Sequence, residues 1–288
     1  VLRGFSAGVP PTPRASARPY TRSRAAALYS RPFILRCRKY EKNHIAEQKN
    51  YKLRAYEKMN CQELQAFKNQ LAQDAVTLVA VSKNQTVAAI DALYNCGQRV
   101  FGENRAQELL EKQAYFQALG YRDIDWHFIG HLQRNKVKYI APFISLIHSV
   151  DSLDLLKEIN KEAKKNGRII DCLLQFYVAE EETKFGLDWA EAEILMQTVS
   201  ANSTNSTAAQ NWQNVRIVGI MGMASQSSDK AKVAAEFAAL KQYFTQLKQT
   251  FFADAPSFTA ISMGMSGDYP LAVAAGSTLV RIGTMLFA

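Results

Sequence analysis

From Met59 onward the apolar positions of the chain alternate between two spacings. Short, nearly continuous apolar runs predict strands at Val76–Val81, Arg99–Gly102, Trp126–Ile129, Leu146–Val150, Ile169–Val178, Val215–Met221, Phe258–Met263 and Thr278–Arg281. Between them lie longer stretches with apolar residues at helical intervals. These are VAAIDALYNCG, AQELLEKQAYFQALG, SLDLLKEINKEAKKNG, WAEAEILMQTV and KVAAEFAALKQYFTQLKQ, and CQELQAFKNQLAQ precedes the first strand. The last strand follows LAVAAGS, a short helix with a glycine stop. Apolar strands flanked by helices predict a parallel sheet whose outer face is covered. Eight such units in about 230 residues match the count of a single (β/α)8 TIM-type barrel. A doubly wound open sheet is the alternative. That fold usually carries a glycine-rich turn after its first strand, and SKNQT has no glycine there.

Two segments stand outside the alternation. Residues 200–214, SANSTNSTAAQNWQN, are polar and low in complexity, and predict a surface loop between the fifth helix and the sixth strand. Residues 1–58 are rich in Arg, Ala, Ser and Pro, with no amphipathic period, and cannot bury enough surface to fold alone. They superficially resemble an organellar transit peptide. We favour translated upstream sequence, because the chain starts with Val and Met59 opens the helical pattern that leads into the first strand. The expected organisation is a basic, disordered or non-native leader over 1–58 and a barrel over 59–288.

The leader also accounts for the charge. The chain carries a net +9, yet residues 1–58 hold 14 Lys and Arg against 3 Asp and Glu, leaving 21 against 23 for the rest. The main body therefore has no electrostatic footprint for nucleic acid. No apolar run approaches the roughly 18 residues of a membrane span. Cys37, Cys61, Cys96 and Cys172 are scattered. They imply neither a zinc site nor a disulfide framework, and read as small buried hydrophobes of a protein in a reducing compartment. His127 and His131 flank a strand end, where a spacing of four does not bring them together, so no metal site is expected. The basic run LQRNKVK, residues 132–138, reads as a solvated helix start, with anion binding at the barrel mouth as the alternative.

Barrel active sites lie at the C-terminal ends of the strands, which turns the topology into candidate residues. Lys83 ends the first strand and points into the barrel mouth. It is either a cation for an anionic ligand or a Schiff-base amine, favoured in its neutral form by partial burial and a nearby cation. A lysine that merely reaches back to solvent is the plainer alternative. The turns after strands seven and eight, SMGMSGD and RIGT, carry glycines and hydroxyls where barrels often bind phosphate through backbone N–H groups. The short helix after Ser266 and Gly267 adds an N-terminus that favours an anion. Arg281 is a permanent cation within an apolar strand, so it should be paired or face a ligand. A lysine, a phosphate nest and an arginine at one mouth fit a pyridoxal phosphate site.

With these residues in place the chain, from about Met59 to Ala288, resembles the YggS/PROSC-type pyridoxal phosphate homeostasis proteins. The ordered motifs are VAVSK, FGENRAQE, WHFIGHLQRNK, HSVDS, EETKFG, GIMGMAS, SMGMSGDYPLAV and GSTLVRIGTMLF. The resemblance implies a barrel of the alanine racemase N-terminal-domain kind without a second β domain. It implies that Lys83 carries pyridoxal 5′-phosphate as an internal aldimine. Ser262, Gly264, Ser266, Gly283 and Thr284 would lie in the phosphate-binding region. Asn104, Met223 and Ser225 would line the pocket, and Arg281, with the Arg-x-Gly spacing of alanine racemase-like barrels, would face the pyridine nitrogen. The segment AEEE after strand five and the length of the 200–214 insert depart from the family pattern, away from these residues.

The function so implied is cofactor binding and intracellular cofactor homeostasis, without robust catalysis, in the cytoplasm. An arginine holds its proton, which leaves the pyridine nitrogen unprotonated and the ring a weaker electron sink. The expected partners are the cofactor and pyridoxal-dependent apoenzymes, with no nucleic acid, membrane or metal, and the expected state is a monomer. A pyridoxal-dependent racemase-like enzyme is the first alternative; alanine racemases carry a further β domain after strand eight that helps build their site. An aldolase using a lysine Schiff base on a sugar phosphate is the second, though aldolase lysines usually sit on later strands.

Overall fold

The computed structural model describes residues 60–178, 185–204 and 212–287. The reading of residues 1–58 lies outside them, as do the AEEE segment and Lys184.

The eight predicted strands are present. They are β1 (Thr77–Val81), β2 (Val100–Glu103), β3 (Asp125–Phe128), β4 (Leu146–Val150), β5 (Ile170–Gln175), β6 (Val215–Met221), β7 (Ala260–Ser262) and β8 (Leu279–Ile282). They pair in sequence order, all parallel, and β8 closes on β1. Closure excludes the open-sheet alternative. The helices are α1 (Cys61–Gln73), α2 (Val87–Asn95), α3 (Ala106–Ala118), α4 (Arg134–Ile140), α5 (Leu153–Lys165), α6 (Trp189–Thr204), α7 (Lys230–Phe251), α8 (Tyr269–Ala274) and α9 (Thr284–Phe287).

Local signals in the sequence start and stop these helices. Asn60 and Glu63 form a reciprocal capping box on α1. Thr86, Ser152 and Asp229 cap α2, α5 and α7 through their side-chain oxygens. The glycine stop after α8 is Gly276, whose φ of +89° suits a residue without Cβ.

Side-chain alternation on the strands sorts the core into two layers. Leu78 and Ala80 on β1, Phe101 on β2, Trp126 and Phe128 on β3, and Val280 and Ile282 on β8 face outward into the large core under the helices. Val79, Leu146, Leu173, Val218, Met221 and Leu279 form a smaller cluster inside the barrel. The parity matters for function. Extending the inward row of β1 from Val79 through Val81 leads to Lys83, and that of β8 from Leu279 leads to Arg281 and Gly283.

Three expectations need correction. Strand β7 is shorter than Phe258–Met263, because Phe258 is a fully buried ring stacked on Phe244 and Phe252 rather than a sheet residue. The polar stretch expected as a loop from residue 200 begins as helix, since α6 runs to Thr204; residues 205–211 lie outside the described residues. Cys61 and Cys96 are not separate buried thiols. They form a disulfide with Cα atoms 4.9 Å apart, because the start of α1 lies against the end of α2. Among the described residues only Cys172 is the expected buried thiol, and burial raises its pKa; Cys37 lies outside them. Among the described residues no helix is long and apolar enough to cross a membrane.

Candidate functional site

The strand ends converge as the barrel count requires. Lys83 follows the buried Ser82 at the end of β1, is itself exposed, and makes no hydrogen bond or ion pair with another described residue. It lies in a tight turn closed by the Gln85 N–H donating to the Ser82 carbonyl at 3.0 Å, with Asn84 in the left-handed region at φ +61°. Strand β1 pairs with β8 in a register that sets Val79 beside Arg281 and Ala80 beside Ile282. One step further along, a Cβ on Gly283 would lie 3.4 Å from Val81 Cβ. Lys83 thus lies two residues beyond Val81, which neighbours Gly283 of the RIGT turn.

The turns after β7 and β8 touch each other. The Gly283 N–H donates to Ser266 Oγ at 3.4 Å, and the Arg281 N–H donates to the Gly264 carbonyl at 2.9 Å. Gly264 has a φ of +94°, and a Cβ there would come within 2.6 Å of Ala272 Cβ, so this turn needs glycine. The backbone N–H groups of Ser266, Gly267 and Thr284 donate to no acceptor among the described residues. A Cβ on Gly267 would meet nothing within 4 Å. Thr284 is exposed and Ser266 half-buried. Free donors on two adjoining turns, open to solvent, are a place where an anion can be held by backbone.

Arg281 is 4% exposed, inside the barrel. Its Nη1 donates to Ser262 Oγ at 2.6 Å and its Nη2 to the Gly222 carbonyl at 3.0 Å. No carboxylate among the described residues lies within ion-pair distance of it. Burial lowers its pKa to about 10, with a smaller opposing influence from Asp268, so it remains a cation at neutral pH.

Below Arg281 runs a polar chain that the sequence reading missed. His148 Nδ1 lies 2.9 Å from Ser262 Oγ, and His148 Nε2 lies 3.0 Å from His127 Nδ1. Arginine has only donors, so Ser262 Oγ accepts from it; the donors and acceptors along Ser262, His148 and His127 are set by the histidine tautomers. Burial holds the His127 pKa down at about 3; burial, then the charges of His127 and Arg281, hold His148 well below its ordinary value. Both rings are neutral at neutral pH. The signal in the sequence was parity: His148 stands two residues after inward-facing Leu146, in a strand whose other polar residue is Ser149.

The other expected residues divide. Asn104 follows β2, and its Oδ1 is buried without a partner in the described structure. Met223 follows β6 and is 44% exposed. Ser225 is buried, and its hydroxyl and N–H both donate to Glu236 of α7 at 2.7 Å, so its side chain is held by the helix layer. His131 is apart from His127, as expected. It pairs with Asp151 at 3.0 Å and stacks on Phe185, at the edge of a surface cleft that Arg134 and Asp154 also line. Arg134 pairs with exposed Asp154, which fits a solvated helix start. Among the described residues no group of His, Cys, Asp and Glu could hold a metal ion.

Comparison with known proteins matches this architecture to one family. The profile described as "Alanine racemase, N-terminal domain" matches residues 58–288. The Pyridoxal phosphate homeostasis protein of Aquifex aeolicus (strain VF5) is 36% identical over 216 residues, 75% of this chain and 87% of that protein. The protein of the same name from Escherichia coli (strain K12) is 33% identical over 214 residues, 74% of this chain and 86% of that protein. Among solved structures, PipY of Synechococcus elongatus PCC7942 with PLP bound is 36% identical, with a TM-score of 0.68 over 79% of this chain and 99% of that one. The same protein without PLP has a TM-score of 0.69.

Proposed function

Because the chain belongs to the alanine racemase N-terminal-domain family and, within it, to the pyridoxal phosphate homeostasis proteins, we propose that it binds pyridoxal 5′-phosphate as a Schiff base on Lys83 and takes part in intracellular homeostasis of the cofactor. The observation that carries this reading is that Lys83 follows the end of β1, the strand paired with Arg281-bearing β8, beside two turns with unspent backbone donors.

The residues present suit the parts of the cofactor. Its aldehyde needs an amine, and Lys83 is exposed with no other partner among the described residues. Its phosphate needs donors, and Ser266, Gly267 and Thr284 offer N–H and hydroxyl groups, with Gly264 and Gly283 shaping the turns. The orphaned Oδ1 of Asn104 is an acceptor awaiting a donor. Met223 supplies an apolar edge at the mouth.

Bound pyridoxal phosphate supplies an aldehyde carbon that an amine can attack and a ring that can withdraw electrons. Lys83 would supply the amine for that carbon, and Ser266, Gly267 and Thr284 would hold the phosphate. Ser262 is already engaged by Arg281 and His148, so its part is to orient the guanidinium. Ser225 supports the wall through Glu236 rather than donating to the ligand. Arg281 would meet the ring nitrogen as a donor that does not release its proton, which would keep that nitrogen unprotonated and the ring a weak electron sink. Strong carbanion chemistry is then disfavoured, and the protein acts as a carrier rather than an enzyme, passing cofactor to apoenzymes in the cytoplasm.

The test is the visible absorbance of the purified 59–288 protein mixed with pyridoxal phosphate, before and after borohydride, with peptide mapping. An imine band that bleaches on reduction, with the reduced adduct on Lys83, is expected. A Lys83→Ala variant that still retains the cofactor in reducible covalent form would refute the assignment. Racemisation well above that of free pyridoxal phosphate, abolished by Lys83→Ala, would overturn the carrier reading in favour of an enzyme.

A further inference from the structure

Next to the turn that carries Lys83 lies a second, buried lysine. Lys112 of α3 is 5% exposed, and its Nζ has three partners. It donates to the Ser82 carbonyl at 2.8 Å, to Glu103 Oε1 at 2.7 Å and to Glu108 Oε1 at 2.6 Å. An ammonium has three protons, and all are used. The two carboxylates reach further. Glu103 Oε1 also accepts from Ser82 Oγ at 2.6 Å, and Glu108 Oε1 also accepts from the Asn84 N–H at 2.9 Å.

Ser82 and Asn84 are the two neighbours of Lys83. One cluster therefore holds the residue before it by carbonyl and hydroxyl, and the residue after it by its N–H. The grip on Asn84 is at a residue in the left-handed region, φ +61°, a conformation that asparagine tolerates better than other non-glycine residues. Glu103 also immediately precedes Asn104, so the cluster ties the ends of β1 and β2 together where both enter the mouth.

Stability alone is a poor explanation for this arrangement. Glu103 is fully buried, and its Oε2 has no partner among the described residues. Burial is the main influence on its pKa and raises it, outweighing the attraction of Lys112. A buried ion pair with an orphaned oxygen is no more stabilising than an apolar replacement. What it does supply is a fixed geometry.

We propose that Lys112, held between Glu103 and Glu108, is a positioning residue that locks the Ser82–Asn84 turn and so aims Lys83 at the ligand. The proposal rests on the reading of Lys83 as the anchoring amine. A turn held in advance loses less freedom when the covalent bond forms, and affinity rises by that saving. Without Lys112, two neighbouring carboxylates repel, the Ser82 carbonyl loses its donor, and the Glu108 carboxylate that accepts from the Asn84 N–H loses its anchor.

The test uses Lys112→Met and, as the milder change, Glu108→Gln, whose side chain is 24% exposed. Lys112→Arg serves as the charge-conserving control. Two readouts are independent of each other. In cofactor-free protein, amide exchange at Asn84 should accelerate at least about tenfold in both variants while β1 amides stay unchanged. Affinity for pyridoxal phosphate should fall about five- to tenfold. Affinity for pyridoxine 5′-phosphate, which has the ring and phosphate but no aldehyde, should hold, and Lys112→Arg should recover part of the loss.

Equal losses for both ligands would make Lys112 a merely structural residue and overturn the proposal, as would unchanged exchange at Asn84. If Lys112→Met does not fold, Glu108→Gln decides by the same two measurements. Failure of the underlying reading looks different: wild-type protein would then give no reducible adduct on Lys83, whatever the exchange data show.

Discussion

Replacing Arg281 by Met should make the empty protein no less stable while weakening its hold on pyridoxal phosphate. The buried guanidinium has a pKa of about 10, and the gap to the ordinary value of about 12.5 corresponds to about 3 kcal/mol of unfavourable burial. The sign follows from the direction. A base whose pKa is lower in the folded state is penalised wherever it is charged in both states. The penalty is fully present at neutral pH and is relieved only as the pH climbs above about 10. Arg281→Met removes it and fills the same inward position with an apolar chain. Against this, the Gly222 carbonyl loses its Nη2 donor, a buried group left unsatisfied at a cost of about 1–3 kcal/mol. Ser262 keeps His148. The balance lies between about zero and 2 kcal/mol in favour of the variant, or up to several degrees in Tm for a domain of this size. Thermal unfolding of cofactor-free wild type and variant reads the first effect, and equilibrium dialysis with pyridoxal phosphate reads the second. A fall in Tm of about 5 °C or more, which at this size is about 2 kcal/mol lost, would refute the argument and make Arg281 a structural support of the barrel.

Two further outcomes are expected. His127 and His148 are buried neutral, with pKa values held below those of the unfolded chain, so stability should fall as the pH drops below about 6.5, by up to about 1.4 kcal/mol per pH unit for each ring. Urea unfolding between pH 7 and 4.5 should show this slope in wild type and a shallower one in His127→Gln/His148→Gln; parallel curves would exclude the two rings as its source. A Cβ at Gly130 would lie 2.4 Å from the Asn104 carbonyl oxygen, so Gly130→Ala must displace the backbone that carries Asn104. Binding titrations should show a larger loss of pyridoxal phosphate affinity for Gly130→Ala than for Asn104→Ala, and a variant that binds like wild type would remove the β2 end from the site.

Much of this protein could be read from its order of residues, because the features concerned are local. Strand and helix spacing, the caps at Asn60, Thr86, Ser152 and Asp229, and the glycine after α8 are set by a few neighbouring residues each. The barrel followed from counting those units, and Lys83 and Arg281 followed from asking which residue ends each strand. What the sequence could not settle is pairing at a distance. His127 and His148 are 21 positions apart, and Ser262 is 114 from His148; only closure of the sheet brings them inside one barrel. Ser225 reads as a pocket residue until α7 presents Glu236 to it. Cys61 and Cys96 read as isolated thiols until α1 is laid against α2. Lys112 looks like an ordinary exposed position of a helix, and becomes a buried clamp because α3 packs over the ends of β1 and β2. Periodicity records which face a residue is on, and says nothing of what the opposite face will bring. The sequence by itself determined the elements and the row on which each side chain stands. The tertiary structure decided which of those rows meet, because hydrogen bonds and ion pairs act over about 3 Å in space and are indifferent to distance along the chain.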